Sequence, residues 1–391
     1  MRIGIDVTSA VTQSAGIGRY TRELVRALLN LDAPHTYTLF YATEKRVARP
    51  IEPLPHSVRL RRLPFHDKWL ARLWHKLQIP ISIELITGPI DLFHSPDFSL
   101  PPTLRRTPTL LTVHDLSFIR DPESAVPSLR RYLSRVVPRS VARARRVLAD
   151  SQATKDDLVE LFGTPPGKID VLLSGVDARF RPIRDPAALA AVRAKYNLGS
   201  GPLVLAVGTI QPRKNYVRLI QAFAQVMGQW WQIGPEWLGD VNLVISGGTG
   251  WLFDAIFAEV TRLGLQARVK FTGFVDDADL PALYSAAAVF AYVPRYEGFG
   301  LPVLEAMACG VPVIGSNVSS IPEVVGDAGL LVDPLDVDAI AAGLIGLLKD
   351  ASARDAYRRA GLQRAAQFTW ESAARQLLSI YAELGAASIT K

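Results

Sequence analysis

A pair of glutamates, Glu297 and Glu305, brackets the seven residues Gly-Phe-Gly-Leu-Pro-Val-Leu. If a helix begins at Leu301, Glu305 lies on its second turn and Glu297 lies on the loop before it. Gly298 and Gly300 then leave backbone amides accessible at the helix start. One carboxylate could accept hydrogen bonds from sugar hydroxyls and the other from ribose hydroxyls, which would fix the pose of a substrate. Two glutamates at this spacing are common by chance, but Gly-x-Gly-x-Pro between them is much rarer.

Two adjacent cations, Arg213 and Lys214, lie in the segment Gly208-Thr-Ile-Gln-Pro-Arg-Lys-Asn215, between a predicted strand and a predicted helix. Breaking a bond between a sugar and a diphosphate needs positive charge and hydrogen-bond donors at the departing phosphates. An arginine can bind two phosphate oxygens at once, and a lysine adds a compact charge. Gly208 lets the backbone turn closely, and the helix N-terminus adds its dipole. Arg-Lys pairs are also common on solvated turns, so this segment indicates a phosphate site only in combination with other motifs.

Two glycines, Gly16 and Gly18, stand between the first predicted strand and the first predicted helix, in Gly-Ile-Gly-Arg-Tyr20. At a helix start, glycines allow backbone N–H groups to approach a phosphate. The third glycine of the dinucleotide-binding fingerprint is missing. A phosphate contact and a flexible loop with an N-capping glycine therefore explain this feature about equally well.

One histidine, His114, ends a predicted strand in Val113-His-Asp115. Lone histidines are more often structural than functional. The position at a strand end favours function here, because ligands of doubly wound sheets bind outside the carboxyl ends of the strands. We therefore expect His114 to face a ligand and to contact its sugar.

Short apolar runs alternate with amphipathic segments along the chain, which is typical of parallel sheets with helices on both faces. The predicted strands cover residues 2–7, 37–41, 92–94, 109–113, 147–149, 203–207, 243–246, 269–271, 289–292, 311–314 and 329–332. Predicted helices include residues 18–29, 151–161 and 215–227. The pattern restarts after the polar, proline-bearing stretch 179–186. We therefore predict an α/β protein with two doubly wound, Rossmann-like domains that face a central cleft.

The composition of the 391 residues, 49% hydrophobic and 21% charged, is that of a globular protein with room for two cores. No apolar run is long enough to span a bilayer, and the N-terminus lacks the apolar core of a signal peptide. Cys309 is the one cysteine, so an internal disulfide is impossible. Together these features predict a cytoplasmic protein.

The net charge of +7 is distributed unevenly, because residues 1–183 contain 27 basic and 18 acidic side chains. A basic first half suggests a phosphate-bearing partner, an anionic membrane surface or nucleic acid, although a solvated arginine-rich surface explains it equally well. A nucleic-acid-binding module is the non-enzyme alternative. We expect no nucleic-acid partner, because the basic residues are dispersed and no nucleic-acid motif is present.

Taken together, the motifs resemble those of the GT-B retaining glycosyltransferases of family 4. The resemblance rests on residues 208–215, 297–305, the following Ala-Met-Ala-Cys-Gly-Val-Pro-Val313 and Ile321-Pro-Glu-Val-Val-Gly-Asp-Ala-Gly329, and it covers nearly the whole chain. It implies the GT-B fold. Residues 1–180 would form an acceptor-binding domain, residues 181–369 a nucleotide-sugar-binding domain, and residues 370–391 a C-terminal helix that crosses back to the first domain.

The resemblance also implies roles for single residues. Arg213 and Lys214 would hold the donor diphosphate and offset the leaving charge without a metal or other cofactor. Glu297 would bind hydroxyls of the donor sugar, Glu305 the ribose, and His114 the sugar. The other donor-binding residues that the family pattern implies are Gly16, Gly18, Gly208, Thr209, Phe274, Val275, Gly298, Phe299, Gly300 and Leu301. Of these, Phe274 and Val275 match the loop that lines the nucleobase.

The family resemblance implies retention of configuration at the anomeric carbon. No carboxylate in a defined position supplies the nucleophile that a double displacement needs. We therefore expect the family's front-face reaction, in which the donor phosphate takes the acceptor proton. The Arg-Lys pair with the paired glutamates argues against a sugar-nucleotide epimerase or an inverting transferase, and a phosphorylase would need a pyridoxal-bearing lysine.

The choice of donor and acceptor is less well encoded than the reaction. The glycine motif at 16–20 and the segment Ser319-Ser-Ile-Pro-Glu323 are most similar to bacterial mannosyltransferases that use GDP-mannose. Those enzymes build O-antigen, capsule or exopolysaccharide chains on lipid carriers. We expect transfer of a hexose, mannose from GDP-mannose, to a saccharide or lipid-linked saccharide. UDP-glucose, UDP-N-acetylglucosamine and dTDP-rhamnose remain alternative donors.

The segment Lys68-Trp-Leu-Ala-Arg-Leu-Trp-His-Lys-Leu77 places its tryptophans and leucines on one helical stripe, with three cations on or beside the other face. Such a helix suits docking on an anionic membrane, which would give the protein a peripheral position at the inner face of the membrane. A helix that simply packs on the first sheet explains the pattern slightly better. The role of the tryptophan-rich segment 229–237 is left open, because a partner contact, a membrane contact and local packing of a loop each explain it.

Overall fold

The computed structural model describes residues 1–13, 16–44, 51, 55, 57–233 and 240–389, without the side chains of 230–233 and 387–389. Two compact units are present. The first comprises Met1–Leu116, Ser128–Gly175 and Thr369–Lys391, and the second comprises Ser117–Pro127 and Val176–Phe368. Each unit is built on one parallel sheet, as the alternation of apolar and amphipathic segments predicts.

The helices are named in chain order. They are α1 (Thr8–Thr12), α2 (Ile17–Asn30), α3 (Asp67–Ala71), α4 (Glu84–Thr87), α5 (Ser117–Arg120), α6 (Pro127–Arg143), α7 (Gln152–Phe162), α8 (Pro186–Lys195), α9 (Tyr216–Ile233), α10 (Asp254–Arg262), α11 (Leu280–Ser285), α12 (Leu301–Ala308), α13 (Ile321–Val325), α14 (Val337–Lys349), α15 (Ala351–Ala365) and α16 (Trp370–Ile389). A π-helical turn, Arg72–Lys76, continues α3. Short 3₁₀ turns cover Pro122–Ser124, Pro166–Lys168, Pro212–Lys214 and Gly326–Ala328.

The first unit holds a seven-stranded sheet whose neighbouring strands are all parallel. Its strands are β1 (Arg2–Asp6), β2 (Thr36–Ala42), β3 (Val58–Leu63), β4 (Leu92–Ser95), β5 (Thr109–Val113), β6 (Arg146–Ala149) and β7 (Ile169–Val171). Their spatial order is β3-β2-β1-β4-β5-β6-β7, so the winding reverses between β1 and β4. Every residue of β4 and β5 is buried. Their leucines, phenylalanine and valine form short apolar runs in the sequence, as is typical of strands that are covered on both faces.

Helices α2 and α16 pack against each other in the first unit. The buried side chains of α2 recur at helical spacing and include Tyr20, Leu24 and Leu28. From α16, the hydroxyl of Tyr381 lies 2.8 Å from Nδ1 of His94 on β4. The last helix of the described chain is therefore part of the core of the first unit.

The second unit holds a six-stranded parallel sheet in the order β10-β9-β8-β11-β12-β13. Its strands are β8 (Leu203–Val207), β9 (Asn242–Ser246), β10 (Val269–Gly273), β11 (Val289–Tyr292), β12 (Val313–Ser316) and β13 (Leu330–Val332). Here the winding reverses between β8 and β11, which are neighbours although two strands separate them in the chain. At such a switch point the loops that follow both strands open towards the same crevice.

The predicted fold class, two doubly wound α/β sheets, is confirmed, and eleven strands lie where apolar runs predict them. Strands β3 and β7 were not predicted. Strand β3 has three arginines among its six residues and lies at the sheet edge, and β7 has three residues, so neither forms a buried apolar run. The predicted strand 311–314 is displaced, because β12 begins at Val313.

The boundaries of the units differ in detail from the predicted domains 1–180, 181–369 and 370–391. The second unit begins at Val176 and also takes in Ser117–Pro127. Within that unit, Arg295 pairs with Asp121 at 2.6 Å, and the indole of Trp251 donates to the carbonyl of Ser124 at 2.6 Å. In the described part of the chain, no helix is long and apolar enough to cross a membrane.

Candidate functional site

Two loops meet at the switch point of the second sheet, one after β8 and one after β11. The backbone N–H of Arg295 donates to the carbonyl of Arg213 at 3.0 Å, which joins the loops directly. Asn215 donates from Nδ2 to the carbonyls of Val293 at 2.9 Å and Pro334 at 2.7 Å. Asn215 has a φ of 62°, in the left-handed region that asparagine tolerates better than most residues. The loop geometry therefore depends on this buried amide.

The carboxylate of Glu297 is the centre of a buried network of charged groups. Nη1 of Arg213 donates to its Oε1 at 2.8 Å, and the ammonium of Lys214 pairs with its Oε2. The hydroxyl of Tyr292, the last residue of β11, also donates to Oε2, at 2.7 Å. Lys214 donates to the same hydroxyl at 2.6 Å. Two cations and one anion thus share a site with little access to solvent.

Burial alone would raise the pKa of Glu297, but the charges of Arg213 and Lys214 hold it well below its usual range. Burial, and then the negative charge of Glu297, raise the pKa of Tyr292 well above its usual range. At neutral pH Glu297 is therefore ionised and Tyr292 is a neutral hydrogen-bond donor. The network carries a net charge of about +1, which suits the binding of an anion.

The loop that carries Glu297 is held by two serines before α13. The hydroxyl of Ser320 donates to the carbonyls of Glu297 at 2.9 Å and Phe299 at 3.0 Å. The N–H of Glu297 donates to Oγ of Ser319 at 2.9 Å. These bonds fix the backbone on which the carboxylate stands.

Gly300 caps the N-terminus of α12 with a φ of 106°, a conformation that L side chains rarely adopt. A Cβ at this position would lie 2.7 Å from Cδ1 of Ile321. Gly298, Phe299 and Gly300 are buried, and their backbone N–H groups donate no hydrogen bond to any other described residue. Because a buried N–H needs a partner, these amides beside the start of α12 are suited to donating hydrogen bonds to oxygen atoms of a ligand.

Glu305 lies on α12 as predicted, but its carboxylate is buried inside the unit. The hydroxyl of Tyr284 on α11 donates to its Oε2 at 2.8 Å, and 3% of the residue is exposed. Glu305 is thus positioned by α11 as well as by its own helix.

The predicted phosphate loop after β8 is packed closely. The N–H of Gly208 donates to the carbonyl of Ser246 at 2.8 Å, and the hydroxyl of Tyr216 donates to the carbonyl of Gly208 at 3.0 Å. Thr209 is half-buried.

The predicted base-binding loop follows β10, where Phe274 is 57% exposed whereas Val275 is 4% exposed. An exposed aromatic ring at a strand end is suited to stacking on a base.

His114 lies in the first unit, at the end of β5, and both of its ring nitrogens have protein partners. Nδ1 lies 2.7 Å from Oδ2 of Asp150, and Nε2 lies 3.2 Å from the carbonyl of Pro96. Burial alone would lower the pKa of His114, but the charge and hydrogen bond of Asp150, together with the charge of Asp97, raise it to about 9. The ring is therefore a buried imidazolium at neutral pH, and its predicted sugar contact stays a prediction.

Gly16 and Gly18 also belong to the first unit. Gly16 precedes α2 with a φ of 56°, and no atom of the other described residues lies within 4 Å of the position that a Cβ would take. A Cβ on Gly18 would overlap the carbonyl of Gln13, so close packing of α2 explains this glycine. A phosphate contact by either residue stays a prediction.

Comparison with known proteins decides the family. The family model for glycosyl transferases group 1 matches residues 191–364, and the model for glycosyltransferase family 4 matches residues 14–180. The chain is a family 4 glycosyltransferase. It is 39% identical over 382 residues to the O-antigen chain mannosyltransferase B of Escherichia coli, which corresponds to 94% of this chain and 95% of the relative.

Solved structures confirm the predicted GT-B fold of this glycosyltransferase. Sucrose-phosphate synthase from Thermosynechococcus elongatus matches 99% of this chain and 100% of its own with a TM-score of 0.76 and 24% identity. HepE of Anabaena, solved with UDP and glucose, matches 98% of this chain and 100% of its own with a TM-score of 0.72 and 21% identity. The enzyme therefore belongs to the class that moves a glycosyl group from a nucleotide-sugar donor to a saccharide acceptor.

The structure of this glycosyltransferase brings Arg213, Lys214 and Glu297 into direct contact, although the glutamate is more than 80 positions from the cations. Sequence reasoning did not find Tyr292, the fourth member of the network. Its signal was available, since it ends a predicted strand directly before the glutamate motif. Sequence reasoning also missed Asp150, which directly follows β6, next to the end of β5.

Proposed function

We propose that the enzyme transfers mannose from GDP-mannose, with retention of configuration, to a saccharide or lipid-linked saccharide. The observation that carries the proposal is the network of Arg213, Lys214, Tyr292 and Glu297 at the switch point of the second sheet. The choice of mannose is supported by the relative from Escherichia coli, an O-antigen chain mannosyltransferase. UDP- and dTDP-sugars are the alternative donors.

The charges of the network suit a diphosphate. In the proposal, Arg213 and Lys214 bind the phosphate oxygens and offset the charge that develops as the sugar leaves. Because Arg213 and Lys214 bring two positive charges to the site, no metal is required in the proposed reaction. Glu297 stands on a loop held by serines, so its free lone pairs can orient hydroxyls of the donor sugar.

The proposed transfer takes place on one face of the sugar. The bond from the anomeric carbon to the phosphate oxygen breaks, and the bond to the acceptor oxygen forms on the same side. The acceptor proton passes to the leaving phosphate oxygen, so no carboxylate nucleophile is needed. Glu305 and Phe274 are the proposed contacts for the ribose and the base.

The donor is tested by calorimetric titration of GDP, UDP, dTDP and ADP, followed by transfer assays with the corresponding sugars. We expect GDP to bind most tightly, GDP-mannose to be consumed in the presence of EDTA, and the product to carry an α-mannosyl linkage by NMR. Preferential turnover of a UDP- or dTDP-sugar would replace the donor assignment, loss of turnover on chelation would refute the metal-free reaction, and a β-linked product would refute retention.

The site is tested by Glu297→Gln and Lys214→Ala, with Lys349→Ala as the control because this lysine is exposed on α14. We expect each site variant to lose about 10²–10³-fold in turnover while the circular dichroism spectrum is kept, because each removes a group that acts on developing charge. The control is expected to keep full activity. Near-normal transfer by both site variants would contradict the assignment.

We also propose that the first unit docks on an anionic membrane through the segment around α3. Trp69 and Leu77 are 60% and 63% exposed, and Lys68, Arg72 and Lys76 are exposed beside them. Trp74, by contrast, is buried and donates from its indole to the carbonyl of Ile81 at 3.0 Å, so part of the predicted apolar stripe packs inward. Exposed tryptophan and leucine flanked by cations are suited to the interface of an anionic bilayer.

Co-sedimentation with vesicles tests the docking surface. We expect binding to vesicles that contain phosphatidylglycerol, weakened by salt and by Trp69→Ala with Leu77→Ala. Leu335→Ala is the matched control, since this leucine is 58% exposed in the second unit. Equal sedimentation of the native enzyme with neutral and anionic vesicles would refute the proposal. The cytoplasmic location expected from the sequence stays a prediction.

A further inference from the structure

A cavity of about 760 Å³ lies at the amino ends of three strands in the first unit. Its lining includes residues directly before or at the start of β5, β6 and β7, among them Thr109, Arg146 and Lys168. In a parallel sheet the amino and carboxyl ends lie on opposite edges. Since β5 spans four residue steps, the cavity is about 13 Å from the strand end that leads to His114. It is therefore distinct from the carboxyl edge at which doubly wound sheets bind their usual ligands.

The lining of this cavity is strongly basic. Five cationic residues contribute to it, and Glu383 is the one acidic lining residue among the described residues; the cationic residues are Arg105, Arg143, Arg145, Arg146 and Lys168. Arg146 pairs with Glu383 at 2.7 Å and with the neighbouring Asp170 at 3.4 Å. Even with both carboxylates counted, about three positive charges are left.

Neutral backbone groups, rather than carboxylates, hold two of these cations. Arg143 donates to the carbonyls of Leu100 at 3.1 Å and Pro101 at 2.8 Å, and Lys168 donates to the carbonyl of Ala142 at 3.0 Å. A carbonyl orients a cation without neutralising it. The charges of Arg143 and Lys168 therefore remain available to a ligand.

Arg105 and Arg145 have no side-chain hydrogen bond or ion pair with any other described residue. Burial, and then the charge of Arg145, lower the pKa of Lys168, which shows that like charges are close together here. Crowded cations repel each other, and an anion placed between them would relieve this repulsion.

We propose that this cavity binds a phosphate group that carries about two negative charges, such as a phosphomonoester or a diphosphate. Guanidinium groups match phosphate oxygens in geometry, and about three unbalanced cations match such a group in charge. Leu104, which is 43% exposed, and Leu384 line the same cavity and could accept an apolar substituent of the ligand. Both a free phosphate compound and a lipid headgroup have this chemistry.

The test is titration of the full chain with inorganic pyrophosphate and with vesicles of phosphatidic acid in phosphatidylcholine. The test variant is Arg105→Ala with Arg145→Ala, which removes two charges without removing a hydrogen bond of the fold. The control is Lys349→Ala with Arg359→Ala, which removes two exposed charges of the second unit. Lys214→Ala separately reports pyrophosphate that binds at the proposed donor site.

We expect pyrophosphate to bind to the cavity with an affinity that Lys214→Ala leaves unchanged. The test variant is expected to lower this affinity at least about tenfold. Glu383→Gln is expected to strengthen this binding, because it removes the negative charge that competes for Arg146. If the cavity takes a lipid headgroup, the test variant loses vesicle binding as well; if it takes a free phosphate compound, vesicle binding is unchanged. The proposal would be overturned if the test and control variants bound pyrophosphate equally well and also bound vesicles equally well.

Discussion

The thermal stability of the Glu297→Gln variant tests the charge network more directly than its activity does. The substitution keeps the shape of the side chain and removes the negative charge that Arg213 and Lys214 share. All three side chains are 10–14% exposed, so the two cations would be left nearly buried without their counter-ion. Removing one partner of a buried ion pair costs about 3–5 kcal/mol, mostly because the remaining charge is uncompensated.

The sign of the pH dependence follows from the lowered pKa of Glu297. A carboxyl group whose folded pKa lies below its unfolded value of about 4.3 stabilises the fold fully above that value. This stabilisation is lost as the pH falls towards the folded pKa. We therefore expect the variant to be less stable than the native enzyme by a constant amount between pH 7 and 5, and the difference to shrink below about pH 4.

Differential scanning calorimetry measures the effect. For a unit of about 200 residues, 3 kcal/mol corresponds to a decrease in Tm of about 6–12 °C. Asp355→Asn is the control, because Asp355 pairs with Arg358 at 2.6 Å on the surface of the same unit. Its effect is expected to stay within about 0.5 kcal/mol.

The same variant has a second expected phenotype. With Glu297 neutral, the net charge of the network rises from about +1 to about +2, so a nucleoside diphosphate is expected to bind more tightly while turnover falls. Isothermal titration with the preferred diphosphate checks this. An unchanged Tm at pH 7, or weaker binding of the diphosphate, would refute the view that Glu297 neutralises the cations.

Three further substitutions probe the surroundings of the site. Gly300→Ala is expected to lower stability by about 1–3 kcal/mol because of its positive φ, whereas Gly346→Ala, in open space on α14, is expected to raise it by about 0.5–1 kcal/mol; calorimetry that ranks them otherwise would contradict the strain argument. Asp150→Asn is expected to lower the pKa of His114 from about 9 to its ordinary value or below, and NMR titration of the ring measures this. The native pair stabilises the fold fully below pH 6.5 and loses this stabilisation as the pH rises through 9, so the variant is expected to be less stable than the native enzyme below that pH. Asn215→Ala removes two buried hydrogen bonds and is expected to cost about 2–4 kcal/mol in chemical denaturation, and a cost under 1 kcal/mol would show that the loops do not depend on the amide.

Much of the fold was predictable because the buried strands are visible in the sequence as short, mostly apolar segments. A strand such as β5, with both faces covered, is rich in apolar and β-branched residues, and the sequence of residues 109–113 therefore predicts its bounds. Strand β3 was not predicted because three of its six residues are arginines and it pairs with a single neighbour. The assignment of Ser117–Pro127 to the second unit was equally out of reach, since it depends on contacts with Arg295 and Trp251 far along the chain.

The residue types of the candidate site were predictable, but the contacts between its residues were not. Residue types at strand ends indicated cations for a diphosphate and carboxylates for hydroxyls. Spacing alone does not reveal that Arg213 and Lys214 bind Glu297 itself, because that contact depends on β8 and β11 being neighbours. The expected contact of Glu305 with the ribose likewise gave no indication of its hydrogen bond from Tyr284, which is 21 positions away in the sequence.

The placement of α16 has a consequence for the order in which the protein is made. The first unit needs this helix for the packing against α2 and for the contact between Tyr381 and His94, yet roughly 190 residues of the second unit are synthesised before it. At about 5–20 residues per second on the ribosome, the first unit waits about 10–40 s for its last element. The second unit, whose sheet is complete by then, can fold first, so the two units are expected to mature in the reverse of their order along the chain.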